Sequence, residues 1–231
     1  MSYHFDKARH IHKFGDKNLY GVTSVLQTIS KPQLIPWAAG MATEYVKGRW
    51  KVGKAYSKEE RDEILEQAKN AHTRKKEKSG DIGTTAHAAV EVFTKTGQEY
   101  TGEDPQISEM SSVFIQWAKD NNAIFIESEM NVWSERLWIG GILDFIVEID
   151  GKKYIGDLKT SSGIYIEHFL QAAAYDLCLE EMGRDDIHGY VIVNIDKSGG
   201  MKTMFRTDRD ELKAAFEHCL GLHKSLKKLA L

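Results

Sequence analysis

Proline and cysteine are both scarce in this chain, with 3 and 2 copies in 231 residues. Two of the prolines, Pro32 and Pro36, bracket a short segment near the N-terminus, and no proline-rich or otherwise low-complexity stretch exists. Cys178 and Cys219 both fall in helical patterns and lack metal-ligand spacing, which excludes a cysteine metal centre and points to small buried residues of a reducing compartment. No apolar run approaches the roughly 18 residues that a membrane span needs, so no transmembrane helix is expected. The start, Met1-Ser2-Tyr3-His4-Phe5-Asp6-Lys7, has no apolar segment behind its charges, so a secretory signal is not expected and the cytoplasm is the expected location. No internal repeat is present, which removes solenoid architectures. A net charge of −3 argues against holding nucleic acid by bulk attraction alone.

What is present is an ordinary globular composition, 42% hydrophobic and 28% charged, with length for one domain with a sizeable core or for one domain plus a helical extension. The charge is uneven. Residues 1–80 hold 16 Lys and Arg against 9 Asp and Glu, while 81–231 hold the other 15 against 25, a split of +7 and −10 that returns the −3. Such a division suits an enzyme that meets a polyanion on one side and metal ions on the other. The run Arg74-Lys75-Lys76-Glu77-Lys78 is either a phosphate-contacting patch or a solvated helix end.

Apolar periodicity predicts helices over 37–49, 59–78, 81–96, 106–121, 165–182 and 208–228. Strand-like runs cover Ala123–Trp133, Trp138–Ile149, Lys153–Thr160 and Gly189–Ile195, with a weaker one at Met201–Arg206. Lys153 through the 165–182 helix to Gly189–Ile195 reads as a crossover between parallel strands. The expectation is an α/β domain with a mixed sheet over 81–231, preceded by a helical N-terminal cap over 1–80.

Trp138 to Thr160 carries the most information. Asp150-Gly151 is a strong two-residue hairpin turn, which pairs Ile149 with Lys152 and carries the register back to Asp144 opposite Asp157. A four-residue loop keeps that register, and a three-residue loop shifts it by one. Alternation puts Ile142, Asp144 and Ile146 on one face and Ile155, Asp157 and Lys159 on the same face of the partner strand. Opposed residues have Cβ atoms about 4.5–5.5 Å apart, where like charges repel. Two carboxylates among isoleucines therefore make a poor choice for stability, and a divalent cation such as Mg2+ or Mn2+ reverses the sign. Lys159 projects to the same place, where it can stabilise developing phosphate charge.

Two helices bring polar pairs. Helix 81–96 has its apolar stripe at Ile82, Ala86, Ala89, Val90 and Phe93, with His87 and Glu91 on a flank. Helix 165–182 has Gln171 and Tyr175 on the matching flank. Each pair reads as exposed surface or as a site wall, with His87 a third metal ligand and Gln171 and Tyr175 phosphate or base contacts. His87 also fits a surface histidine.

These residues resemble the PD-(D/E)XK nuclease superfamily, and within it the RecB-like branch. The matching pieces, in order over roughly 83–175, are Gly83-Thr84-Thr85-Ala86-His87 with Glu91, then Gly141-Ile142-Leu143-Asp144, then Asp157-Leu158-Lys159-Thr160, and finally Gln171-Ala172-Ala173-Ala174-Tyr175. The resemblance implies a restriction-endonuclease-like core, metal held by His87, Asp144, Asp157 and the Leu158 carbonyl, and a catalytic Lys159. It also implies an acid on the preceding strand, Glu129 or Glu127, of which Glu129 is preferred, although alternation points both the same way. Gly21-Val22-Thr23-Ser24-Val25-Leu26 with Trp37 looks like the start of stand-alone, phage-type members. No four-cysteine set occurs, so an iron–sulfur cluster is not expected, and no Walker-type phosphate loop occurs. The implied activity is Mg2+- or Mn2+-dependent hydrolysis of DNA, by an exonuclease working on ends, since no separate recognition domain is apparent. Its expected partners are DNA, contacted by Arg74, Lys75, Lys76 and Lys78 with Gln171 and Tyr175, and a single-strand annealing or recombination protein, with oligomers allowed and no membrane. A rival reading is an idle DNA-binding module that keeps the fold. A third is a hydrolase of small phosphate esters, against which stand the basic N-terminal third and the aromatics Trp37, Tyr45 and Trp50, stacking surfaces for unpaired bases.

Overall fold

A computed structural model describes residues 2–229. The chain forms two compact units, Met1–Ile29 with Thr85–Leu231, and Ser30–Thr84. The smaller unit holds α2 (Leu34–Arg49), α3 (Lys58–Lys69) and the first part of α4 (Ala71–Thr96). Helix α3 starts on a capping box in which Ser57 accepts from the Glu60 amide and Glu60 accepts from the Ser57 amide. Sequence periodicity splits this region at Ser79-Gly80, yet α4 runs through both Gly80 and Gly83, and the break falls at Asn70 instead. One glycine inside a helix costs about 1 kcal/mol, too little to end it.

The larger unit is α/β. Its first residues make a small antiparallel sheet from β1 (Tyr3–Asp6), β2 (Ile11–Phe14) and β3 (Lys17–Asn18), followed by β4 (Tyr20–Gly21) and α1 (Val22–Leu26). The expected helical cap over 1–80 is thus corrected at its start. Residues 2–29 carry four short strands and one five-residue helix and belong to the core unit, because β4 pairs parallel with the main sheet and Val22, Val25 and Leu26 are buried in its core. Apolar alternation is too brief in four-residue and two-residue strands to be read from sequence.

After α5 (Pro105–Asp120), capped by Asp104 with Pro105 in its first turn, come β5 (Ile124–Ser134), β6 (Ile139–Ile149) and β7 (Lys152–Lys159). Then follow α6 (Ile166–Glu181), β8 (Ile187–Ile195), β9 (Met201–Arg206) and α7 (Arg209–Leu229). The mixed sheet has six strands in the order β4-β6-β7-β8-β9, with β5 also on β6. Strands β7 and β8 are parallel, joined by α6, while β5–β6, β6–β7 and β8–β9 are antiparallel. At the β6–β7 turn, Asp150 and Gly151 both have positive φ, 51° and 70°, as a two-residue primed turn requires. The register is the expected one, from Ile149 opposite Lys152 to Phe145 opposite Gly156.

Helices α6, α7 and α1 cover one core, which buries Phe169, Ala173, Phe216, Ile146, Ile155 and Ile192. An aromatic cluster of Phe93, Phe114, Phe125 and Phe145 joins α4 and α5 to the sheet. Gly156 lies under Phe145, where an added Cβ would come within 1.8 Å of the ring.

Candidate active site

The edges of β6 explain where the site lies. One edge is taken by β5. The other is shared: β7 pairs with Phe145–Ile149, and β4 pairs with Ile139 and Gly140. Between them, Gly141-Ile142-Leu143-Asp144 has no ladder partner on that edge among the described residues. The G-x-x-D run is therefore a notch in the sheet. Asp144 closes one end of it, its Oδ2 accepting the Leu158 amide at 2.8 Å in place of a backbone carbonyl.

Leu143 and Ile146 are both buried in the core that α6 covers. Across β6 the β5 register runs Ser128 to Phe145 and Met130 to Leu143, so Glu129 stands level with Asp144. Glu129 has a φ of 52°, a left-handed conformation that costs a non-glycine residue about 1–2 kcal/mol. The β6–β7 ladder ends at Phe145 and Gly156, one pair short of Asp144 and Asp157, and the Asp144 charge acts on both Glu129 and Asp157. Burial pushes the Glu129 carboxyl up to about 7, and the charges of Asp144 and Glu91 push the same way. Glu127 is engaged elsewhere, 3.1 Å from Arg184 Nη1.

Asp157 is 1% exposed and Lys159 sits beside it, with Nζ 2.7 Å from Oδ1 and 2.6 Å from Oδ2. Burial raises the pKa of both Asp144 and Asp157. Burial works against the Lys159 charge too, but Asp157 and Asp144 outweigh it and hold the ammonium proton above the ordinary lysine value. The expected repulsion between the two aspartates is present, since the Asp144 charge raises Asp157, and the Lys159 charge works against it.

His87 arrives from α4, whose Thr94 hydroxyl meets Ser128 on β5 at 2.6 Å. Its Nδ1 lies 3.3 Å from Asp144 Oδ2. Burial, and then the Lys159 charge, lowers its pKa to about 4, so the ring is neutral at pH 7. Glu91, one turn on, pairs with Lys95 at 2.5 Å. From α6, Gln171 Oε1 accepts from Lys159 Nζ at 3.3 Å, and Gln171 Nε2 donates to the Tyr175 hydroxyl at 2.8 Å. The Tyr175 ring lies on Gly141, where a Cβ would stand 2.4 Å from Cε1. Two neighbouring glycines therefore have steric reasons: Gly141 of the motif seats Tyr175, and Gly140 seats His12, with a would-be Cβ contact of 2.7 Å. Sequence reasoning missed Lys7, whose charge reaches Glu129 from the β1–β2 turn; only the general basicity of the N-terminal third hinted at it.

The donors here are hard carboxylate oxygens, a neutral imidazole and the Leu158 backbone, which hydrogen-bonds to His87. That chemistry fits Mg2+ or Mn2+. Asp157 Oδ2 also lacks a well-directed hydrogen bond despite its burial. As the side chains stand, however, no group of three or more His, Cys, Asp or Glu among the described residues is gathered tightly enough to enclose a metal. Lys159 covers both Asp157 oxygens, so a cation there requires the ammonium to move aside.

The basic run lies on α4 in the smaller unit. Arg74 donates to the Gln67 side chain at 3.1 Å and carbonyl at 2.7 Å, and it stacks over Tyr45, which Arg49 also covers. Lys75, Lys76 and Lys78 are exposed. Successive residues turn by about 100°, so Lys76 points roughly 200° away from Arg74, and the four cannot line one surface. Trp37 and Trp50 are 39% and 46% exposed, the latter beside Tyr56. No helix among the described residues is long and apolar enough to cross a membrane.

No protein-family model matches the chain, and no curated protein matches it. Among solved structures, one titled "Crystal structure of SSO0001" is similar at 15% identity over 91% of this chain and 79% of that one, with a TM-score of 0.38. A likeness at that level says nothing about function.

Proposed function

We propose that this chain is a Mg2+- or Mn2+-dependent deoxyribonuclease of the PD-(D/E)XK kind it resembles, acting on DNA ends. The observation that carries the reading is the convergence of Asp144, Asp157, Lys159 and His87 on one notch in the sheet, with Glu129 level with Asp144. Asp144, Asp157, His87 and the Leu158 carbonyl would hold the cation. When bound, such an ion supplies an activated water and Lewis-acid stabilisation of a phosphoryl oxygen. His87 is neutral and able to donate a ring nitrogen lone pair. Lys159 places a positive charge where negative charge grows on phosphate. Glu129, with a pKa raised to about 7, can accept a proton near neutral pH.

One observation favours a second reading, an idle nucleic-acid-binding module: Lys159 already neutralises Asp157. The deciding experiment incubates the pure protein with end-labelled linear and covalently closed circular DNA, with EDTA and with Mn2+. Mn2+-dependent loss of label from linear DNA with circles intact is expected. Conversion of circles to discrete fragments would overturn the preference for ends, and the absence of any cleavage would overturn the nuclease reading.

A further inference from the structure

We infer that Gln171 is a positioning residue: oriented by Tyr175, it gives the Lys159 ammonium a fixed second acceptor besides Asp157, rather than meeting substrate itself. The inference rests on the nuclease reading for its place in catalysis, and on geometry for the rest. An ammonium only donates, so the Gln171 atom facing Lys159 must be the carbonyl oxygen, at 3.3 Å. The amide nitrogen is then left to donate to the Tyr175 hydroxyl, 2.8 Å away and one helical turn on. Both amide ends are engaged inside the protein.

The frame behind the pair is rigid. The Tyr175 ring rests on Gly141, where not even a methyl group fits. Its helical neighbour Asp176 is fully buried and accepts from the Tyr190 hydroxyl at 2.7 Å and from Arg209 at 2.8 and 3.0 Å. Ala172, Ala173 and Ala174 between the two motif residues are buried too. Gly141, Tyr175, Gln171 and Lys159 thus form a connected chain that links two of the sequence motifs to a third. Its use follows from the position of Lys159, which rests on Asp157 in the structure. If the Asp157 oxygens are engaged by another partner, Gln171 still holds the ammonium at the notch.

The test compares the full chain with Gln171→Met, which keeps length and removes the acceptor, Gln171→Glu, which keeps an acceptor oxygen, and Tyr175→Phe. The first readout needs no metal: the 1H–15N signals of lysine ammonium groups, with Lys159 assigned by its disappearance in Lys159→Ala. A slowly exchanging Lys159 signal is expected in wild type, displaced or absent in Gln171→Met, displaced less in Tyr175→Phe and retained in Gln171→Glu. The second readout is Mn2+-dependent cleavage of end-labelled linear DNA. Gln171→Met should lower kcat roughly 10- to 100-fold with KM within about twofold, as for a misplaced catalytic group, and Gln171→Glu should recover most of it. A missing wild-type signal, a signal unmoved in Gln171→Met, or a raised KM at unchanged kcat would overturn the inference, the last making Gln171 a substrate contact. A wild type that cleaves no DNA would sink the nuclease reading, while the ammonium signal would still decide what Gln171 does.

Discussion

The Lys159 ammonium straddles the Asp157 carboxylate, 2.7 Å from one oxygen and 2.6 Å from the other, at a position where Asp157 is 1% exposed. Lys159 neutralises a buried charge in the resting protein and stands where the proposed metal would bind. Lys159→Ala should therefore do two opposite things. Without metal, removing one partner of a buried pair costs about 3 kcal/mol, which lowers the melting temperature by roughly 6–12 °C for a domain of this size. With millimolar Mn2+, the variant should gain more stability than wild type does, since Asp157 is now uncovered. Melting curves in EDTA and in Mn2+ check this, and an equal Mn2+ response in both proteins would show that Asp157 takes no part in holding metal.

Gly141→Ala should disturb Tyr175 in particular. The new methyl group falls 2.4 Å from the ring, so the ring must move or the strand must shift, at a cost of about 1–3 kcal/mol. Because Gln171 depends on the Tyr175 hydroxyl, cleavage should fall further than the modest drop in stability accounts for. Comparison with Tyr175→Phe in the same assay checks it, and full activity in the alanine variant would mean that the ring is not part of the site.

The fold was readable from sequence where patterns are long, and the site where motifs share a register. The Asp150-Gly151 turn fixed the β6–β7 pairing because only residues tolerant of positive φ suit a two-residue turn. The positive φ of Glu129 was not readable, since a left-handed residue inside a long strand leaves no mark on apolar alternation. Nor did sequence reveal that Lys159 would neutralise Asp157, because the same spacing serves equally for two side chains that only stand side by side. The β1–β3 strands were hidden by their shortness. The hydrogen bonds of Gln171 to Lys159 and Tyr175 were not legible, because which way an amide points is decided by neighbours from different elements.

Stability should depend on pH through Glu129. Its pKa is raised from 4.5 to about 7, mainly by burial, so the folded protein binds the extra proton more readily than the unfolded chain does. The ionised form therefore costs stability that is lost in full above about pH 7 and regained as pH falls towards 4.5. Glu129→Gln should melt a few °C higher than wild type at pH 8 in EDTA, with the difference gone near pH 4.5. An equal difference at both pH values would indicate a packing effect without any role for charge.

DNA binding should separate the basic residues. Neutralising Lys75 and Lys78 together should flatten the log–log salt dependence by about 0.9 for each phosphate that they pair with in the wild type. Lys76→Gln alone should leave it unchanged, since that side chain leaves the opposite side of α4. Arg74→Gln should instead loosen the packing on Tyr45 and Gln67. Slopes measured by fluorescence anisotropy across salt check this, and an unchanged slope for the Lys75 and Lys78 pair would return the run to a solvated helix surface.

The notch in the sheet also sets an order of assembly. Its two walls come from very different distances along the chain. Strand β7 follows β6 after a two-residue turn, whereas β4 meets Ile139 and Gly140 from more than a hundred residues earlier, through a parallel ladder only two residues long. Local hairpins close quickly, and closures over long stretches of chain are slow and cost more entropy. Asp144 and Asp157 are accordingly brought together early, by the hairpin. The opposite wall is late: β4 can be held only once α6 and α7 are in place to bury Val22, Val25 and Leu26 beside it.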